Sequence, residues 1–401
     1  MREVLSSDPA YQSRSAWERL AEAVERHPDH LALICAHQRP GLYGLGDQSH
    51  EPHGQWSFGA LYEGIIRLSA SLESLGLSND CLLFVILGNS LEHVLTTWAG
   101  YRLGCTHVSV HPNTLSNAVE ARHVVQTVLD NRPSPKAAVF VQDEAAAKEF
   151  DQLFPQLDVI RIIIRNDQPA PSSWTSFDQL MKPGQTPSGP LTSPPSRETS
   201  IFFSSGTTSL PKPCEMNVPA WISSLASGST LGLVRPGDRL MSLVPCSHVL
   251  GYMGQMFALT HGATLVYPSY LAFDPRTTIE TLRGVPCKYI VMVSALVHAF
   301  ISADLSSTPL PPIDTVIFSG MTLSTAVAKE FQTRVGTRAI ENLYGMTEGA
   351  FCATGPVEDL ESISRDGFLA AGRPMAGSKL RLCAPNSTEP LPPGVAGEVH
   401  Y

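Results

Sequence analysis

Short uniformly apolar runs alternate along this chain with segments whose apolar residues recur every three or four positions. That alternation predicts βαβ units and largely parallel sheet. The first clear amphipathic helix opens near Ser57: Leu61, Ile65, Leu68, Leu72 and Leu75 share one face, and Gly76 supplies the stop. LLFVILG (82–88) then reads as a buried strand, SLEHVLTTWAGYRLG as a helix, and AAVFV (137–141) and VIRIIIR (159–165) as further strands. Seven prolines between Pro169 and Pro195, set among Ser, Thr, Gln and Gly, predict an exposed connector. Beyond it come strand patterns at TSIFFSS, 240–245, 263–268, 289–293, 315–320 and 339–345, separated by helical segments. The reading is of two doubly wound halves, 1–166 and 200–355, joined by a connector at 167–199, with no internal repeat.

Composition narrows the chemistry. At 401 residues, 43% hydrophobic and 16% charged, the chain can bury one large core or two to three subdomains. A formal net charge of -9 argues against nucleic acid or an acidic membrane surface as partner and favours a small molecule held by local groups. The eight cysteines form no CxxC pair and have no histidines at metal spacing, so they read as buried thiols of a reducing compartment. No apolar stretch reaches the length of a membrane span, the first residues carry no signal-like apolar region, and the last four, EVHY, are no peroxisomal address. The expectation is a cytoplasmic protein.

One loop carries candidate chemistry. FSSGTTSLPKP (203–213) places Ser204, Ser205, Gly206, Thr207 and Thr208 at the carboxyl end of a predicted strand, where open α/β sheets bind ligands, with Lys212 following. Hydroxyls and backbone N–H groups donate to anionic oxygens, Gly206 allows close approach and Lys212 adds charge. A Walker A loop is excluded, because Pro211 and Pro213 flank the lysine and no helix can start there. Local composition alone leaves open a plain Ser/Thr linker.

The loop resembles the phosphate-binding signature of the adenylate-forming superfamily: acyl-CoA synthetases, peptide-synthetase adenylation domains and beetle luciferases. NLYGMTEGA (342–350) is similar to the family's second nucleotide motif, and FSGMTLSTAVAKEF (318–331) to the stretch under the adenine. VPCSHVLGYMGQM (244–256) resembles the segment lining the acyl pocket, and the run from Ala371 to Tyr401 resembles the end of the large domain. The match extends from about residue 15 onward. It implies an α/β fold of two doubly wound sheets plus a distorted β-barrel formed by 356–401, and a ligase that joins a carboxylic acid to AMP from Mg-ATP, releasing pyrophosphate.

The resemblance also implies roles. Ser204, Ser205, Gly206, Thr207, Thr208 and Lys212 would hold the β and γ phosphates, Thr347 the α phosphate and Glu348 the Mg²⁺, while Tyr344 would stack on adenine. Ser319, Gly320, Met321, Asn342, Leu343 and Gly345 complete the expected nucleotide site. His248 would gate a pocket with Val293, Ser294, Ala295, Met346 and Gly349, an apolar slot for an aryl or fatty acyl group. No acidic side chain lies between Ser242 and Met256, so an α-ammonium would lack a partner and an amino acid is disfavoured. The acyl group would pass to CoA or to the phosphopantetheine of a carrier protein.

Two departures stand out: Ser209 where the family has glycine, and Pro213 where it has glycine or alanine, an ending reminiscent of some fungal synthetase-like adenylation domains. The residues after Glu398 do not reach the family's ribose-binding aspartate, hinge and small C-terminal domain. That raises the expectation of an impaired enzyme, or of one completed by a separate C-terminal domain. The alternative is a non-catalytic nucleotide- or acyl-binding remnant acting as partner or sensor.

Overall fold

The computed structural model describes residues 14–46, 52–132, 136–165, 171–184, 198–204, 210–271, 273–303, 309–375, 378 and 380–400. In chain order the strands are β1 (Leu31–Cys35), β2 (Gly54–Ser57), β3 (Leu82–Ile86), β4 (Thr106–Ser109), β5 (Ala137–Val141), β6 (Ile160–Ile163), β7 (Thr175–Ser176), β8 (Thr199–Ser204) and β9 (Lys212–Asn217). They continue with β10 (Arg239–Ser242), β11 (Thr264–Tyr267), β12 (Tyr289–Val293), β13 (Ile313–Ser319), β14 (Thr337–Met346) and β15 (Gly349–Ala353), then short strands from β16 (Ser364–Arg365), β17 (Phe368–Leu369) and β18 (Arg373–Pro374) to β19 (Arg381–Cys383) and β20 (Glu398–His400). One sheet has the order β7-β6-β5-β3-β4-β8-β9, the other β18-β15-β14-β13-β12-β10-β11-β1-β2. Both are parallel in their interiors, with antiparallel strands at the margins.

The strands do not divide at the proline-rich segment. β1 and β2 join the second sheet, Leu33 pairing with Leu265, while β8 and β9 close the first, Ser200 pairing with His107. Apolar periodicity marks a strand but says nothing of its neighbour, so a split into halves at 167–199 misses this exchange. Within that segment Trp174, Phe177 and Leu180 are buried, and β7 with the helical turn Phe177–Leu180 extends the first sheet. The helix expected near Ser57 spans Phe58–Ser74, with the Ser57 hydroxyl accepting from the Ala60 amide and Gly76 following at a φ of 78°.

Two helices lie between the sheets. Every residue of Leu91–Leu103 is buried, and every residue of Val249–Thr260 except Thr260. Neither sequence has a polar face, so enclosure on all sides is the stable arrangement. Their internal polar groups must therefore find partners inside. Glu92 accepts from Gln38 (2.8 Å) and Tyr43 (2.7 Å), and Thr97 donates to the carbonyl of His93 (2.8 Å). His93 Nδ1 meets Gln255 Oε1 at 3.2 Å, and the same oxygen accepts from Tyr267 at 3.0 Å. The His107 ring packs edge-on to His93 and stacks on Tyr252, whose hydroxyl joins Ser200 and, through it, Tyr101. This polar seam ties β4 and β8 of one sheet to β11 of the other.

A second tie fixes the first described helix, Ala16–Arg26. Its N-terminus carries a capping box from Ser15 and Glu18. The carboxylate of buried Glu198 also accepts from the amides of Ala16 and Trp17, the latter at 2.9 Å. Placing that carboxylate against the helix's positive end compensates part of its desolvation, although burial still pushes its pKa up to about 7. No helix among the described residues is long and apolar enough to cross a membrane.

Burial holds His93 down to about 4 and His107 well below the usual histidine value, so both are neutral at pH 7. In the unfolded chain they take up protons near pH 6.5. Between that pH and the folded values the unfolded state binds more protons, and stability falls as pH falls, by about 1.4 kcal/mol per pH unit per group. His107→Phe removes one such group. Chemical denaturation at pH 7 and pH 5 is expected to show a smaller acid-induced loss in this variant than in the wild type; an equal loss would place His107 outside the acid response.

Candidate functional site

The carboxyl ends of β8, β13 and β14 converge on a cavity of about 290 Å³. Its polar lining is Ser204, Lys212, His248, Ser319, Gly320, Gly345, Thr347 and Glu348; its apolar wall is Leu225, Leu231, Val249, Leu250, Met253, Leu343 and Met346. Ser204 ends β8 and pairs across the hairpin with Lys212, which begins β9. Pro213 is accommodated because β9 is the last strand of its sheet, where a missing N–H breaks no ladder. Thr347 and Glu348 form the two-residue turn between β14 and β15, and Glu348 is exposed there. Of the expected phosphate loop, Ser205, Gly206, Thr207 and Thr208 lie outside the described residues.

His248 caps the helix Val249–Thr260, its Nδ1 accepting from the Leu250 amide at 3.2 Å. That bond needs an unprotonated Nδ1, so the ring hydrogen sits on Nε2. The ring opens to the cavity, and the protein mass around it lowers its pKa from the usual histidine value. Gly320 closes β13 at a φ of 92°, a backbone that side chains other than glycine rarely adopt. Ser319 and Gly320 both line the cavity at this turn.

Seven expected site residues do not line it. Met321 is 65% exposed, its carbonyl held by the Ser294 hydroxyl at 2.9 Å, while Ser294 itself is buried. Asn342 faces away: its amide donates to the Ala370 carbonyl (2.8 Å), and its backbone N–H donates to the Thr354 hydroxyl (3.0 Å). Tyr344 is 38% exposed, Ala295 is exposed, Val293 packs beneath Gly320, and Gly349 follows the Thr347–Glu348 turn at a φ of 134°. Strand alternation explains part of this, because Leu343 and Gly345 reach the cavity while their neighbours Asn342 and Tyr344 point to the opposite face.

Other contributors left little or no signal in the sequence. Leu225 and Leu231 come from the helix Val218–Ala226 and the turn Thr230–Leu233, outside every motif. Glu341, fully buried on β14, accepts from the Thr230 amide at 2.7 Å and so anchors that turn behind Leu231. Burial raises its pKa against the opposing effect of this hydrogen bond. His123, on the helix Ala118–Asp130, places Nε2 2.9 Å from the Pro211 carbonyl, one residue before Lys212. The same helix is followed by Arg132, which pairs with Glu215 of β9 at 3.0 Å. Two contacts thus brace the strand that carries the lysine.

The family model described as AMP-binding enzyme matches residues 20–401. The chain belongs to the AMP-binding enzyme family. With it comes membership of the adenylate-forming superfamily, whose large-domain architecture the two parallel-rich sheets reproduce. Among curated relatives, the salicyl-AMP ligase / salicyl-S-ArCP synthetase of Mycobacterium tuberculosis is 24% identical over 95% of this chain and 64% of its own length. A 4-chlorobenzoate–CoA ligase of Arthrobacter is 23% identical over 92% and 66%. The chain therefore spans somewhat under two thirds of the length of these relatives. Among solved structures, the luciferase-like enzyme of the nonluminescent mealworm Zophobas morio superposes with a TM-score of 0.76 at 17% identity, covering 99% of this chain and 87% of that one. The apo structure of Mycobacterium smegmatis MbtA gives 0.75 at 18%, covering 98% and 70%.

The Glu341 anchor is testable by stability. Glu341→Gln keeps an oxygen for the Thr230 amide, whereas Glu341→Ala leaves that buried N–H unpaired beside a void, a loss of about 2–4 kcal/mol. Urea denaturation is expected to rank wild type and Glu341→Gln close together, with Glu341→Ala well below. Equal losses in both variants would show that side-chain volume matters and the hydrogen bond does not.

Proposed function

We propose that this chain activates an apolar carboxylic acid with Mg-ATP, forming an acyl-adenylate for transfer to CoA or to a carrier-bound phosphopantetheine. The observation that carries the proposal is one cavity in which Lys212, Thr347 and Glu348 face a wall of Leu225, Leu231, Val249, Leu250 and Met253. In the reaction a carboxylate oxygen attacks the α-phosphorus of ATP, the bond to the bridging oxygen breaks, and pyrophosphate leaves. Negative charge shifts onto phosphoryl oxygens, so preorganised donors and cations supply most of the catalysis. Lys212 would neutralise the β and γ phosphates together with Ser204 and the loop Ser205–Thr208, and the Thr347 hydroxyl would donate to the α-phosphate.

Mg²⁺ suits this donor set. The ion takes one or two carboxylates plus substrate phosphates and water, and Glu348 is exposed at the cavity to serve in that way. It would offset phosphate charge while Glu348 fixes its position. Ser319, Gly320, Leu343 and Gly345 line the same space and would hold the nucleotide. Met346 and His248 border the apolar wall, where His248, neutral and hydrogen-bonded as a helix cap, would gate entry.

The lining favours an aryl or fatty acyl group. Among the described residues its single carboxylate is Glu348, which would serve the metal and so leave no described partner for the ammonium of an amino acid. The 4-chlorobenzoate and salicyl ligases among the relatives are in keeping with an apolar acid.

Acid-dependent exchange of pyrophosphate into ATP tests the proposal. Exchange is expected with benzoic or fatty acids and not with their α-amino counterparts. Lys212→Ala should reduce it by about a hundred- to a thousandfold, the usual loss when one charged donor is removed from such a site. Exchange driven best by a free amino acid would overturn the substrate class. No exchange with any acid, alongside intact ATP binding by calorimetry, would favour a binding protein over an enzyme.

A further inference from the structure

At the end of the first sheet opposite the cavity, two cysteines stand side by side. Leu82 of β3 and Thr106 of β4 are register partners in a parallel pair, and Cys81 and Cys105 each precede them by one residue. The Thr106 amide donates to the Cys81 carbonyl at 2.8 Å, so the alignment continues through the cysteines. Neighbouring strands lie about 4.8 Å apart, inside the Cα separation of roughly 4.4–6.8 Å that a disulfide spans. Both sulfurs also meet the same turn residue: the Ser78 amide donates to Cys81 Sγ (3.3 Å), and Cys105 Sγ donates to the Ser78 carbonyl (3.2 Å).

The two thiols are unequal. Cys105 is fully buried and Cys81 is 6% exposed, so Cys81 is the one a small oxidant can reach. The adjoining Cys105 thiol, helped by the Ser78 amide and the Lys136 ammonium, lowers the Cys81 thiol to about 6, while the same contact and burial push Cys105 up. The two thiols thus differ in the direction of their shifts: Cys81 is the more readily ionised and Cys105 the one that keeps its proton. Cys35, Cys214, Cys246, Cys287 and Cys352 all have pKa values raised by burial, which leaves them poor nucleophiles.

We propose that Cys81 and Cys105 form a redox-active dithiol that a hydroperoxide converts into a cross-strand disulfide. The Cys81 thiolate attacks a peroxide oxygen, the O–O bond breaks, and the departing oxygen takes up a proton, leaving Cys81 as a sulfenic acid. Cys105 Sγ then attacks the Cys81 sulfur; the S–O bond breaks and water leaves with the Cys105 proton. In sum, two thiols and one hydroperoxide give one disulfide, one water and one alcohol, or a second water if the oxidant is hydrogen peroxide. A dithiol reductant reverses the change. The bond would close the β3–helix–β4 unit around the buried helix Leu91–Leu103, joining covalently two strands otherwise held by their ladder.

The test treats the native, fully reduced 401-residue protein with hydrogen peroxide, blocks remaining thiols by alkylation at low pH, and maps peptides by mass spectrometry. The expected result is a linked Cys81–Cys105 peptide pair, lighter by two hydrogens, that forms ahead of any other oxidation and disappears with dithiothreitol. In Cys105→Ser the sulfenic acid should persist on Cys81 and be trapped by dimedone, and Cys81→Ser should give neither adduct nor link. Oxidation first at another cysteine, a link between a different pair, or no link in wild-type protein that remains folded by circular dichroism would each overturn the proposal. The wild-type mapping decides the matter even if a serine variant fails to fold.

Discussion

Two helices with no face for water are the constraint on which the rest of the structure depends. Leu91–Leu103 and Val249–Thr260 persist because both sheets cover them and because the Glu92 carboxylate, His93 Nδ1 and Gln255 Oε1 are served from within. An unpaired polar group at such depth costs more than most surface interactions return. The Gln255 side chain, shared between His93 and Tyr267, therefore couples the relative placement of the sheets to the second helix. That helix begins at His248, so the requirement that fixes the core also fixes one wall of the cavity.

Charge is handled locally throughout. The chain is acidic overall, yet it brings Lys212 to the cavity by a hairpin braced from the neighbouring helix through His123 and Arg132. Buried carboxylates do structural work away from it: Glu198 receives two amides at a helix start, and Glu341 receives one from the turn behind the apolar wall. Exposed pairs such as Arg276–Glu280 add little by comparison, since both members remain solvated.

What could be read from the sequence follows from what a pattern records. The elements around Ala137–Val141, Tyr289–Val293 and Phe58–Ser74 are legible because their apolar residues recur with the period of the element. Partnership is not: nothing in LALIC says that it lies beside Thr264–Tyr267. The motif residues Lys212, His248, Thr347 and Glu348 do meet in one cavity, whereas Met321 and Ala295 sit outside it because a motif spans both faces of a strand or turn. Glu341 and His123 were invisible for a different reason. Each acts by accepting from or approaching a main-chain group far away in sequence, and such a contact has no periodicity to betray it.

The exchange of strands between sheets bears on how the molecule is born. During synthesis β1 and β2 emerge early but cannot enter their sheet until β11 arrives, more than two hundred residues later. β3 to β6 must likewise wait for β8 and β9 before their sheet closes. Contacts of such long range slow folding, since loop closure precedes any gain from pairing. Neither half should survive as a free-standing fragment, because each would lack strands of its own sheet while offering a pair to a sheet that is not there.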